Sequence, residues 1–162
     1  MAIYMNYNDL AVKGNVTTEG YENWIRIETM SFGLGRHVSM EAGHMSNREA
    51  TRPNITEVAC AKIMDGASSG LFKESLTGSA GVKVLIDVVR TGADKLEKFV
   101  TYELENVLIS SYSVSGTTES APTETFSLSM AKLTMSYTAA DGAHKGGTPE
   151  RVGYDLGLGK KL

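Results

Sequence analysis

The sequence predicts an all-β protein with one short helix, folded as a small β-barrel of two packed antiparallel sheets. Three observations carry this. Six segments show period-2 alternation of apolar and polar residues, the mark of half-buried strands. Only one stretch, within 65–76, has helical spacing. Inside three strand segments the alternation changes phase, and a one-residue slip sends every later side chain to the opposite face. Three such slips call for bulges, or for strands that leave one packed face and join another, as coiled sheets and small barrels require. Burial of the barrel's outer face by another subunit would leave the same mark.

The elements follow in order. A first strand is read at 2–7. A second spans 23–32, with Ile25 and Ile27 on one face, then Met30 and Phe32 on the other. A third covers 54–63. The fourth, 82–91, sets Val82, Val84, Ile86 and Val88 on one face. In the fifth, 98–109, Val100, Tyr102 and Leu104 give way to Val107 and Ile109. In the sixth, 124–137, Phe126, Leu128 and Met130 give way to Leu133, Met135 and Tyr137. In the helix Asp65 or Ser68 caps the start, Leu71, Phe72 and Leu76 form the apolar face, Lys73 and Glu74 point to water, and Gly78 ends it. Loops fall at 13–20, 33–52, 91–97, 116–123 and 139–150.

The chain's 162 residues fit one domain over 1–162 with a core that needs neither disulfide nor metal. Lys and Arg number 16 against 19 Asp and Glu, with no basic cluster, which argues against nucleic acid and against a polybasic membrane contact. No apolar run approaches the ~18 residues that span a bilayer, and residues 1–14 do not read as a secretory signal peptide. A cytoplasmic protein is expected on that basis. Cys60, the single cysteine, sits in an apolar run and is expected in the core.

The search for chemistry returns no catalytic signature. His37, His44 and His144 all lie in predicted loops. His37 and His44 could be joined on paper with Glu41 or Cys60 into a zinc site, but their seven-residue spacing lacks the form of a metal pair, and solvated histidines are expected. Residues 66–70 mimic a nucleophile elbow without its strand–turn context. Gly142, Gly146 and Gly147 read as a turn rather than a phosphate loop. Glu103 and Glu105 read as a solvated strand face. No catalytic residue, cofactor or metal is expected. The long loop 33–52 carries Arg36, His37, Glu41, His44, Arg48, Glu49 and Arg52 with Met40 and Met45, a composition suited to docking.

Several motifs together carry a resemblance along the whole chain. They are Ile3-Tyr4-Met5 with Val12-Lys13-Gly14, Ile27-Glu28 through Met30-Ser31-Phe32-Gly33, and the run from Tyr102-Glu103-Leu104-Glu105-Asn106-Val107 to Leu108-Ile109-Ser110-Ser111. Glu124-Thr125-Phe126-Ser127-Leu128, Tyr137, Lys145-Gly146-Gly147 and Gly153-Tyr154-Asp155-Leu156 complete them, with Tyr154 where the family often has Trp. In these the chain resembles the Hcp (hemolysin co-regulated protein) family, the inner-tube protein of bacterial type VI secretion.

The resemblance implies a phage-tail-tube-like barrel of two sheets, and a structural rather than catalytic role. It implies homohexameric rings that stack into a tube and are expelled, with effector proteins in the lumen. Sheath, spike and baseplate components would be the partners. Localisation would be cytoplasmic before firing, then secreted without a signal peptide. The loop residues named above become candidates for ring stacking, and Ser31 becomes a lumen candidate. A monomeric barrel holding a small ligand is the alternative.

Overall fold

The computed structural model describes residues 1–45, 48–92, 95–139 and 147–162. The sequence prediction of a mostly β chain in two sheets with one helix holds. One sheet runs β12 (Lys160–Lys161), β11 (Glu150–Asp155), β10 (Lys132–Tyr137), β8 (Leu96–Ser115), β7 (Val82–Thr91), β1 (Ala2–Tyr7), β2 (Ile25–Ile27). The second sheet runs β3 (Thr29–Ser31), β6 (Val58–Ile63), β9 (Thr123–Ser129) and the C-terminal half of β8. We call these the large and the small sheet. All strand pairs are antiparallel.

Each of the three phase changes marks a crossing between sheets. The second predicted strand breaks at Glu28 into β2, paired with β1, and β3, paired with β6. In β8 the change falls at Asn106, whose φ of 54° lies in the left-handed region where Asn is among the better-tolerated residues. Before it β8 pairs with β7 and β10, and from Leu108 onward with β9. The last predicted strand is two, β9 and β10, split at Met130 and Ala131. β9 and β10 therefore lie along β8 as one long bent hairpin. The ring of ladders closes through the chain's own bend at Glu28, not through an unbroken ladder, so the fold is barrel-like.

The face of Val84, Ile86 and Val88 runs as predicted opposite Tyr7, Met5 and Ile3 of β1, while Val89 lies on the other face and packs with Tyr4 and Tyr21 in a second apolar cluster that the sequence reading missed. Three short strands were missed. β11 and β12 extend the large sheet beyond the barrel, and β4 (Leu34–Gly35), inside the predicted loop 33–52, pairs with β5 (Asn54–Ile55), the start of the predicted third strand 54–63, which breaks before β6.

The main core lies between the sheets. Met5, Ile25, Ile86, Leu104, Phe126 and Leu128 are fully buried there, and Cys60 joins them as expected. Burial pushes the Cys60 thiol up to about 12. Helix α1 (Ser68–Thr77) closes one end of the barrel with Leu71. Its predicted apolar face needs correction. Leu71 is buried, but Phe72 is 51% and Leu76 68% exposed. The helix cap is Ala67, without a side-chain cap bond. Asp65 Oδ1 accepts from the Ala67 N–H, and Ser68 Oγ accepts from the Asp65 N–H. Gly78 ends the helix as predicted: its N–H donates to the Glu74 carbonyl at 2.9 Å, and a Cβ there would lie 2.5 Å from that oxygen.

Candidate functional site

The segment read as the loop 33–52 is an antiparallel arm. Above the β4–β5 pair, Val38 bridges Ala50 and Glu41 bridges His44 at the tip, where Gly43 takes φ 86°. The Thr51 N–H donates to the His37 carbonyl and the Ser39 N–H to the Glu49 carbonyl, both at 2.9 Å. These bonds hold the arm without a hydrophobic core of its own. Arg36, His37, Glu41, His44, Arg48, Glu49 and Arg52 are all exposed on it. Arg36, His37 and Arg52 line one open cleft near its base, while Glu41 and His44 meet at the tip. Arg52 also lies against Gly159 in the β11–β12 turn. Cys60 sits in the core, apart from the exposed arm, so the paper zinc site is not assembled. Among the described residues no group of three His, Cys, Asp or Glu could hold a metal. His144, Gly142, Lys145 and Gly146 lie outside the described residues.

Ser31 ends β3, exposed on the outer face of the small sheet. In register with it run Ala59, Ser127 and Ser111, and the next row is Thr29, Ala61, Thr125 and Ser113. This face carries only small, uncharged residues in both rows. The partner set of Ser31 was not readable from sequence, because it depends on which strands pair.

Two further surfaces were missed. The inner face of the large sheet continues past the barrel. One cross-strand row reads Ile25, Met5, Ile86, Tyr102, Met135, Val152. The first three are fully buried under the small sheet, but Met135 is 36% and Val152 43% exposed. With Phe32, Leu34, Pro53, Ile55, Leu133 and Tyr154 they line an apolar groove of about 340 Å³. Elsewhere Phe72 of α1 stands against Tyr112 of β8, their rings 5.6 Å apart, while Leu76, one turn further on the helix, and Val114, two residues beyond Tyr112 on its strand, are 68% and 49% exposed.

Beneath α1 lies a buried charged cluster. Lys62 and Glu124 are cross-strand partners, both fully buried. Lys62 Nζ lies 2.7 Å from Glu124 Oε2 and 2.7 Å from Asp65 Oδ1. Ser68 Oγ donates to the same Glu124 oxygen, and the Tyr112 hydroxyl donates to Oε1. Burial pushes the Glu124 carboxyl up, but the bonds from Lys62, Tyr112 and Ser68 outweigh it and hold it below the ordinary range. Every charge here is satisfied internally, as a structural clamp between α1 and the small sheet requires. Glu103 and Glu105, read as a solvated face, make ion pairs there with Lys83 and Lys132 at 2.8 and 3.1 Å.

A filled two-sheet barrel with an exposed polar arm, a smooth small-residue face and an uncovered apolar groove has the fold of solved type VI secretion proteins. The family model described as "Type VI secretion system effector, Hcp" matches residues 4–137. The chain belongs to the Hcp family of type VI secretion. No curated protein matches the chain. A solved type six secretion system protein is 25% identical, with TM-score 0.91 and 99% of each chain covered. Hcp1 from Salmonella typhimurium is 20% identical, with TM-score 0.79, covering 99% of this chain and 98% of its own. A type VI secretion system effector from Yersinia pestis is 16% identical, with TM-score 0.74, covering 94% and 98%. Among the described residues no helix is long and apolar enough to cross a membrane.

Proposed function

We propose that this chain, acting as one domain over 1–162, is the tube subunit of a type VI secretion system. Copies close into hexameric rings, the rings stack, and the tube is expelled with its spike by a contracting sheath. The observation that carries this reading is the apolar inner face of the large sheet left bare at Met135 and Val152. Apolar area of this kind is stabilised only by a cover, and monomers rarely leave it open. A ring subunit covers it with the next subunit, by a heterologous contact that closes on itself. The barrel interior is filled by side chains, which weighs against a ligand-holding barrel. Mass in solution by light scattering, with micrographs of the same peak, tests the reading. Six subunits and a central hole are expected, and a monomer at high concentration would refute it.

Stacking uses a second contact that does not close and therefore builds an open tube. The arm is its candidate. Arg36, His37, Glu41, His44, Arg48, Glu49 and Arg52 present both signs of charge on an exposed hairpin, which suits specific and salt-sensitive docking. Reversing the charge of Arg48 or Glu49 is expected to reduce tube formation severalfold while rings persist. Tubes from both variants at the parent's yield would remove the arm from this role.

The face around Ser31 is the candidate lumen wall. Its Ser, Thr and Ala side chains offer neither apolar area nor charge to hold passing cargo tightly, so a small set of contacts would decide which effectors are retained. Ser31→Trp is expected to lower retention of a cognate effector in the ring, measured by co-purification. Unchanged retention would place the lumen elsewhere.

A further inference from the structure

We infer that the apolar ridge of one copy, built on Phe72 and Leu76 of α1 with Val114 of β8, seats in the groove between the arm base and β10–β11 of the next copy. This rests on the ring reading above and names the two surfaces that would make the ring.

Three observations point to a second copy as the occupant. First, the patches have opposite shapes and the same chemistry. The groove is concave and apolar, lined by Phe32, Leu34, Ile55, Met135 and Val152 among others. The ridge carries the most exposed apolar side chains of the helix, and only Leu71 of that helix's predicted apolar face is spent on the chain's own core. Second, they lie at opposite edges of the small sheet. That sheet is ordered β3, β6, β9, β8. Phe32 directly follows β3, and Tyr112 and Val114 belong to β8. A copy that brings its β8 edge to the β3 edge of its neighbour places ridge against groove and leaves a new ridge and a new groove free at the ends. This is the head-to-tail geometry that rings need, and an isologous ridge-to-ridge pair would stop at two.

Third, the outer half of β8 is an edge. From Leu108 to Ser115 it pairs only with β9, since β7 ends its ladder at Val82 opposite Val107. An eight-residue edge strand left open is a site of association that monomeric proteins blunt, and here Leu108 and Val114 on it are exposed.

The test uses two variants of the full chain, Phe72→Asp to spoil the ridge and Val152→Asp to spoil the groove. Both positions are solvent-exposed in the single chain, and circular dichroism checks that each folds. Each alone is expected to run as a monomer under conditions where the parent forms rings. Mixed one to one, they are expected to give a species of twice the monomer mass and nothing larger, because the intact groove of one meets the intact ridge of the other. Rings from either variant at the parent's yield would overturn the pairing, and so would a mixture that stays monomeric. A monomeric parent would instead overturn the ring reading itself. If either variant misfolds, Leu76→Cys with Val152→Cys in one chain, treated with a short bis-maleimide, decides the question. A ladder of linked chains up to the ring supports the pairing, and rings that yield no linked species overturn it. Cys60, buried in the core, does not compete for the reagent.

Discussion

Lys62→Met is expected to destabilise the folded chain by about 3–5 kcal/mol at neutral pH, read from urea unfolding midpoints. The loss is not the worth of an ion pair. It arises because Glu124 would remain fully buried with its charge uncompensated. Ser68 and Tyr112 would still donate to it, but neutral donors cannot offset the desolvation of a carboxylate. The double variant Lys62→Met, Glu124→Leu removes both charges and is expected to recover most of the loss. A double variant as unstable as the single one would show that the clamp's value lies in each charge separately.

The pH dependence gives a second handle on the same cluster, and its sign differs between parent and variant. In the parent the Glu124 carboxyl is held below 4.5. Its contribution is therefore in place above that value and is lost as pH falls through the lower folded one. In Lys62→Met, burial without its cation raises the carboxyl instead. The penalty is then full at neutral pH and relieved as Glu124 takes up a proton. The difference in stability between parent and variant should shrink on going from pH 7 toward pH 4. A difference that is flat across this range would mean that Glu124 does not carry the effect.

Phe126→Ala is expected to cost about 3–5 kcal/mol as well, by another route. Phe126 is fully buried, opposite Cys60 on β6 and Tyr112 on β8, in the middle of the small sheet's inner face. Removing the ring leaves a cavity walled by strands that are pinned by ladders on both sides, so the site collapses poorly. The neighbouring Thr125 points to the outer face and is exposed, and Thr125→Ala should stay within about 0.5 kcal/mol. Equal losses at the two positions would contradict the assignment of faces.

The neighbouring faces of β9 show how far alternation alone reaches. Phe126 and Leu128 were readable as inward because the period of two assigns faces without knowledge of any partner strand. The three phase changes were equally readable, at Glu28, near Asn106 and at Met130–Ala131, because a strand that crosses between sheets must turn its apolar side over. The family was legible for the same local reason, since its motifs are short runs within strands. By itself, then, the sequence determined the fold class, the strand cores, the helix and the membership of the Hcp family.

Other features depend on what lies across from a residue, and only the tertiary structure decided them. Lys62 holds the inward place that follows Val58 and Cys60, and nothing in its own strand says that Glu124, 62 residues away, will meet it. The arm read as a loop because its pairs, such as His37 with Thr51, are held by backbone bonds that leave no apolar pattern. Val89 is buried on the face opposite Ile86 and Val88 because Tyr4 and Tyr21 cover it there, a contact that the alternation of β7 does not reveal. Phe72 and Leu76 carry the helical spacing of a buried face, and Met135 and Val152 the alternation of a buried strand, yet the small sheet and the barrel end where they do and leave all four exposed. Periodicity records that a face is apolar, whereas the extent of the neighbouring layer decides whether this chain or another one covers it.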